Sequence, residues 1–137
     1  MYRQSIKLII QITSLFFLFI LPAYADQPVI YDQSKTAIIV TKKKPIFIIK
    51  MISNPTTGYT WLLRDYDKTL IIPVKQQYVA PSKNLVGAPG YELWTFRVKD
   101  TAFVVPQRTT IEFIYARPWE QDKEADKSQY VITINDD

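Results

Sequence analysis

From Thr36 onward the chain alternates short apolar runs with polar, Pro- or Gly-bearing interruptions, and no stretch of it carries a convincing 3.6-residue apolar period. Seven segments are rich in the Ile, Val, Phe, Tyr, Trp and Thr that suit a pleated, half-buried surface: Thr36 to Lys42, Pro45 to Ile52, Tyr59 to Leu63, Leu70 to Val79, Tyr91 to Val98, Thr109 to Ala116 and Gln129 to Ile134. Several alternate with period 2. Trp94, Phe96 and Val98 share one face, with Glu92 expected to mark where that face reaches water; Ile111, Phe113 and Tyr115 repeat the pattern. "IFIIKMI" (46–52) is nearly continuous and reads as buried on both faces. Seven strands in about 110 residues predict an all-β fold, an antiparallel sandwich of immunoglobulin-like type without the Cys-Trp-Cys signature of antibody domains.

The first 25 residues follow a different pattern. Arg3 and Lys7 precede an apolar run, Leu8 to Leu21, which is followed by Pro22 and the small-residue motif Ala23-Tyr24-Ala25. This is the layout of a secretory signal peptide cleaved after Ala25, and the run falls short of the roughly 20 apolar residues of a spanning helix. Residues 1–25 are therefore expected to direct export, to a periplasm or beyond the cell. Residues 26–35 are expected to be a loose lead-in and residues 36–137 the domain. No internal repeat, low-complexity tract or linker interrupts it.

Charge and composition narrow the function. The leader holds two of the 17 basic residues and none of the 13 acidic ones, which leaves a net charge of only +2. That balance offers no electrostatic case for nucleic acid or a membrane surface. Lys42-Lys43-Lys44 reads as a solvated turn. The chain has neither cysteine nor histidine. These two absences remove disulfides, thiol and Ser-His-Asp nucleophiles, His or Cys zinc sites and the usual base near neutral pH. The segment 122–126 lacks the glycine and distal glutamate of a calcium loop. The protein is not expected to be an enzyme or to use a metal or other cofactor.

Alternating strand direction sends the second, fourth and sixth connections to one end of the sandwich. These are the segments around Asn54 to Gly58, Ala80 to Gly90 and Ala116 to Ser128. All three glycines of the protein, Gly58, Gly87 and Gly90, lie there, as does Trp119. In the first loop Asn54 is suited to hydrogen-bond the backbone two residues on, Pro55 fixes φ, and Gly58 accepts the turn's unusual dihedral, which lifts Thr56 and Thr57 to the apex. Pro118 holds Arg117 extended. Trp119 either folds back onto the edge of the core or stands exposed as a binding residue, whereas Trp61 and Trp94 are expected in the core.

"NPTTGYTW" (54–61), "GAPG" (87–90) and "RPW" (117–119), in that order and each in a different loop of the same end, resemble the chagasin family of proteinaceous inhibitors of papain-like cysteine peptidases. The resemblance runs from about Thr36 to Ile134. It implies an immunoglobulin-like sandwich acting as a tight, reversible inhibitor, monomeric, with a peptidase as its protein partner and no cofactor or covalent step. By that likeness Asn54, Pro55, Thr56, Thr57 and Gly58 approach the catalytic Cys-His pair of the peptidase. Gly87, Ala88, Pro89 and Gly90 line the unprimed side of the cleft, and Arg117, Pro118 and Trp119 cover the primed side. Pro89 departs from a simple β-pairing role because it has no N–H to donate. Glu120 to Ser128 is expected to tune which peptidase is preferred. Two alternatives belong to other classes. One is a secreted carbohydrate- or ligand-binding module, with Tyr59 and Tyr91 as its further aromatics. The other is a structural domain of the envelope, which leaves the clustered glycines unexplained.

Overall fold

The structure, a computed structural model, describes residues 26–82, 87–120 and 125–137. The leader expected over residues 1–25 lies outside the described residues. Among the described residues, eight strands form two four-stranded sheets. In chain order they are β1 (Val29–Asp32), β2 (Ala37–Thr41), β3 (Ile46–Ser53), β4 (Thr60–Tyr66), β5 (Ile71–Val79), β6 (Gly90–Val98), β7 (Gln107–Ala116) and β8 (Asp126–Asn135). One sheet has the order β1-β3-β6-β5 and the other β2-β8-β7-β4. The all-β sandwich expected from the alternation is thus present, and each of the seven anticipated strands appears within a few residues of its expected bounds.

Two pairings are parallel rather than antiparallel, β1 with β3 and β2 with β8. β1 itself falls in the stretch expected to be a loose lead-in. Val29 aligns with Phe47 and Asp32 with Lys50, so the ladder of β3 orders a segment of β-forming residues that is too short to stand as a strand alone. Ahead of β1, Asp26 meets Lys44 at 3.3 Å in the turn after β2. The Lys42–Lys44 turn is exposed as expected and closed by a hydrogen bond from Lys44 N–H to the Thr41 carbonyl (3.0 Å), but it carries the chain from one sheet to the other.

Alternation along each strand turns one side of each sheet inward. Phe47, Ile49 and Met51 of β3 meet Ile111 and Phe113 of β7 and Tyr130, Ile132 and Ile134 of β8 in one cluster, all of them buried. Phe113 lies at its centre, edge-on to Trp94 (5.3 Å), Phe96 (6.1 Å) and Tyr130 (6.1 Å). Trp61 is buried and Trp94 packs against the cluster partly buried. The end of the sandwich between β6 and β7 is plugged by a 3₁₀ turn, Asp100–Phe103, whose Ala102 and Phe103 are buried. That connection is therefore more than a charged link. Pro73 sits on the edge strand β5 at a register shift, where a missing N–H costs no ladder bond. After β4, Asp67 receives the Thr69 N–H (2.8 Å) and hydroxyl (2.6 Å), bonds that hold its carboxyl below the usual carboxylate range.

Two further sequence expectations are corrected. The 46–52 run is buried on one face only: Ile46 and Ile52 are exposed, because among the described residues no third layer covers the outer side of that sheet. Glu92 does not mark a wet edge. It is 2% exposed and shares the inward face with Phe96 and Val98. Truncating Phe113 to alanine should cost about 3 to 5 kcal/mol through the cavity left among three aromatic rings, read as a lowered midpoint in urea unfolding.

Candidate functional site

The three connections singled out in the sequence converge on one end. β3 and β6 reach it at Ser53 and Gly90, β5 and β6 at Val79 and Tyr91, β4 and β7 at Thr60 and Ala116, and β7 and β8 at Tyr115 and Asp126. The parallel pairings do not disturb this, because they add β1 and β2 beside these strands; the β1–β2 connection turns toward the same end, where Gln33 Oε1 accepts from the Ile52 N–H (2.9 Å).

The first loop is a single 3₁₀ turn, Pro55–Thr57, with proline in its first turn and Gly58 closing it in the left-handed region at φ 80°. Thr57 N–H bonds the Asn54 carbonyl (3.2 Å) and Gly58 N–H the Pro55 carbonyl (3.0 Å). The Thr57 hydroxyl donates to the Asn54 carbonyl (2.7 Å), and the Thr56 hydroxyl donates to Asn54 Oδ1 (2.5 Å). Asn54 thus braces the loop through a side-chain hydroxyl rather than the backbone N–H that its type suggests. Pro55, Thr56 and Thr57 are exposed.

Asn54 also ties the loop to its surroundings. Its N–H donates to the Tyr115 hydroxyl (2.9 Å) and its Nδ2 to the Gly87 carbonyl of the second loop (3.3 Å). Within the second loop, Gly90 is required by close approach: a Cβ there would collide with the Val79 carbonyl and the Tyr78 ring. Gly87, Ala88 and Pro89 lead into it, while residues 83–86 lie outside the described residues.

The third loop opens with a turn, Arg117 to Glu120, closed by Glu120 N–H on the Arg117 carbonyl (3.0 Å), with Pro118 in its second position. Arg117 does three things at once. Its Nε donates to the Thr57 carbonyl (3.1 Å), its guanidinium lies 4.9 Å over the Tyr59 ring, and its Nη1 pairs with Glu120 at 3.2 Å. Tyr59 stacks in turn on Tyr115 (5.5 Å), and Tyr115 on Trp61 (5.0 Å). A column of one cation and three rings therefore runs from the tip into the core. At its foot, Trp61 Nε1 donates to the Ile52 carbonyl (2.9 Å). The part of the expected selectivity segment at 121–124 lies outside the described residues.

Trp119 is 71% exposed, which resolves the choice left open by its sequence in favour of a surface indole. One edge of the ring rests on Gly58: a Cβ at that glycine would stand 3.1 Å from Trp119 Cη2. Gly58 is thus constrained twice, by its dihedral and by the indole beside it. The structure brings together all the sequence-derived site residues, with Arg117 spent largely on holding the first loop. The residues missed were Tyr115 and Glu92, both in strands and both linked to the loop only across long sequence separations. Among the described residues no cluster of acidic side chains is placed to hold a metal ion. Gly58→Ala should destabilise the fold by about 1 kcal/mol and displace the Trp119 ring, seen as a lower unfolding midpoint with altered Trp emission in the native state.

Comparison with known proteins bears on this tip. No curated protein sequence matches the chain. Among solved structures it is similar to the cysteine protease inhibitor EhICP2 from Entamoeba histolytica, with a TM-score of 0.61 and 21% identity over 77% of this chain and 93% of that one. It is also similar to amebosin, known from a solution structure, with a TM-score of 0.57 and 18% identity over 79% of this chain and 98% of that one. At such identities these likenesses establish the fold. The sequence model of the chagasin family peptidase inhibitor I42 matches residues 40–134, which take in the end of β2, the strands from β3 to β8 and all three tip loops. The chain belongs to the chagasin family of peptidase inhibitors.

Proposed function

We propose that the protein is exported and inhibits papain-like cysteine peptidases by inserting its three-loop tip into the active-site cleft. The observation that carries this reading is the cross-bracing of the tip. The first loop is bonded to the second through Asn54 and Gly87 and to the third through Arg117 and Thr57, so one shape is presented before any partner arrives. Ordering flexible loops on binding would cost about 0.5 to 1.5 kcal/mol per immobilised side chain, and a braced tip avoids much of that.

The same geometry accounts for inhibition without cleavage. A peptidase cuts an extended peptide whose carbonyl is free to turn into an oxyanion site. Here the backbone at Pro55–Thr57 is wound into a 3₁₀ turn, and the carbonyls of Asn54, Pro55 and Thr57 are all engaged inside the inhibitor. Thr57 faces the chemistry of the cleft, Gly87 to Gly90 lie to its unprimed side, and the exposed Trp119 supplies an aromatic anchor on the primed side. EhICP2, the Entamoeba histolytica protein of like fold, is itself a cysteine protease inhibitor. A footprint of about 800 Å² on each partner suits a tip of this kind. The leader at 1–25 supports export to the periplasm or beyond the cell.

The carbohydrate-binding alternative has less support. Tyr59 is covered by Arg117 on one side and stacked on Tyr115, and Lys50 lies 3.8 Å over the Tyr91 ring, so neither tyrosine offers a free platform for a sugar.

Titration of residues 26–137 against papain or a cathepsin L-like enzyme, with a fluorogenic substrate, should show stoichiometric loss of activity; no inhibition at micromolar concentration would refute the proposal. Trp119→Ala should weaken inhibition by at least about 2 kcal/mol while leaving the unfolding midpoint nearly unchanged, as befits an exposed anchor. Thr57→Arg should raise the inhibition constant through misfit at the catalytic centre, and an unaltered constant would mean that the first loop does not enter it.

A further inference from the structure

Glu92 is a charged side chain in the interior, 2% exposed, and among the described residues no lysine or arginine pairs with it. Its carboxylate is held by four neutral donors. Oε1 accepts from the Ser53 hydroxyl (2.6 Å), the Thr60 hydroxyl (2.8 Å) and the Trp61 N–H (3.1 Å), and Oε2 accepts from Gln76 Nε2 (3.1 Å). Ser53 ends β3, while Thr60 and Trp61 begin β4. A single oxygen therefore grips both stems of the first loop.

The topology makes this grip matter. β3 and β4 belong to different sheets, so no backbone ladder fixes the separation of the two stems as it would in a hairpin. A buried, unpaired charge is a poor means of gaining stability, since an apolar side chain at the same inward-facing position would avoid the desolvation of a carboxylate. What the carboxylate supplies, and a hydrocarbon does not, is direction: strong, convergent bonds to donors on both sides of the gap between the sheets.

We infer that Glu92 is a positioning residue for inhibition, setting the spacing and angle of the loop stems and through them the pose in which Pro55–Thr57 meets the peptidase. This rests on the inhibitor reading above for its functional consequence, while its structural consequence stands independently. With Glu92 replaced by leucine, the loop samples poses that do not fit the cleft, and apparent affinity falls by the fraction of time spent in them. Glutamine retains an oxygen for the three donors at Oε1, and the Gln76 amide can rotate to offer its own oxygen to the new NH₂ group.

The test compares the inhibition constant of Glu92→Leu and Glu92→Gln against a cathepsin L-like enzyme with hydrogen exchange of the Thr57 and Gly58 amides in the free protein. Glu92→Leu should raise the constant at least about tenfold and speed exchange at both loop amides, with the Phe96 and Ile132 amides still protected. Glu92→Gln should bring the constant back to within about threefold of the parent and restore slow loop exchange. Unchanged loop exchange in Glu92→Leu, or a constant within about threefold of the parent, overturns the inference. Should Glu92→Leu fail to fold, Thr60→Val removes one of the three Oε1 bonds at nearly constant volume; faster loop exchange then supports the inference, and unaltered exchange overturns it. If the parent protein inhibits no papain-like peptidase, the functional reading fails, and the exchange measurement still decides the role of Glu92.

Discussion

The first loop leaves one sheet and enters the other, and every feature of the tip answers to that constraint. In a hairpin the ladder of the flanking strands aims the turn. Across the seam of a sandwich nothing in the backbone does so, and side chains must supply the connection. They do it at successive depths: the Glu92 carboxylate and the Trp61 indole at the base, the Tyr115 hydroxyl on Asn54 above them, and the Arg117 guanidinium on Thr57 nearest the solvent. Crossing the seam has a benefit that a hairpin lacks, because the loop stands at the middle of the sandwich end and can receive support from the second loop on one side and the third on the other.

The arrangement also explains why Arg117 and Trp119, two residues apart in one short motif, behave differently. Arg117 turns back on the first loop, and its charge is balanced within the inhibitor by Glu120. An exposed pair of this kind adds little stability by itself, so its value lies in orienting the guanidinium toward Thr57 and Tyr59. Trp119, held by the intervening Pro118, rests only an edge on Gly58 and leaves most of its surface open to solvent.

Much of this architecture is legible in the sequence because period-2 alternation is a local signal. Ile111, Phe113 and Tyr115 announce an inward face without knowledge of any neighbour, and the direction of seven successive strands suffices to bring three loops to one end. Legibility ends where the partner is distant. "VIYD" is too short to declare itself, and it is a strand because β3 offers a parallel edge. The parity of Glu92 points inward while its charge points to water; the donors that decide between them stand on β3, β4 and β5, between 16 and 39 residues away. Arg117 has an internal role hidden in the same manner, since a basic residue on a loop suggests only an external contact until the Thr57 carbonyl, 60 residues earlier, is seen beside it. Ile46 and Ile52 mislead in the opposite sense, for an apolar run predicts cover that the fold does not provide on that side.

The parallel pairing of β1 with β3 carries a consequence for how such a molecule can be displayed. β3 runs toward the tip, so β1 does too, and its start lies at the far pole beside Lys44. β8 sets out from the tip at Asp126 and finishes at Asn135 opposite Thr41, at that same pole. Anything joined to either end, whether a surface linker, a second module or an immobilising tag, leaves away from the loops. The domain is in this sense a plug with both leads at its back, suited to tethering by either end with the working face outward.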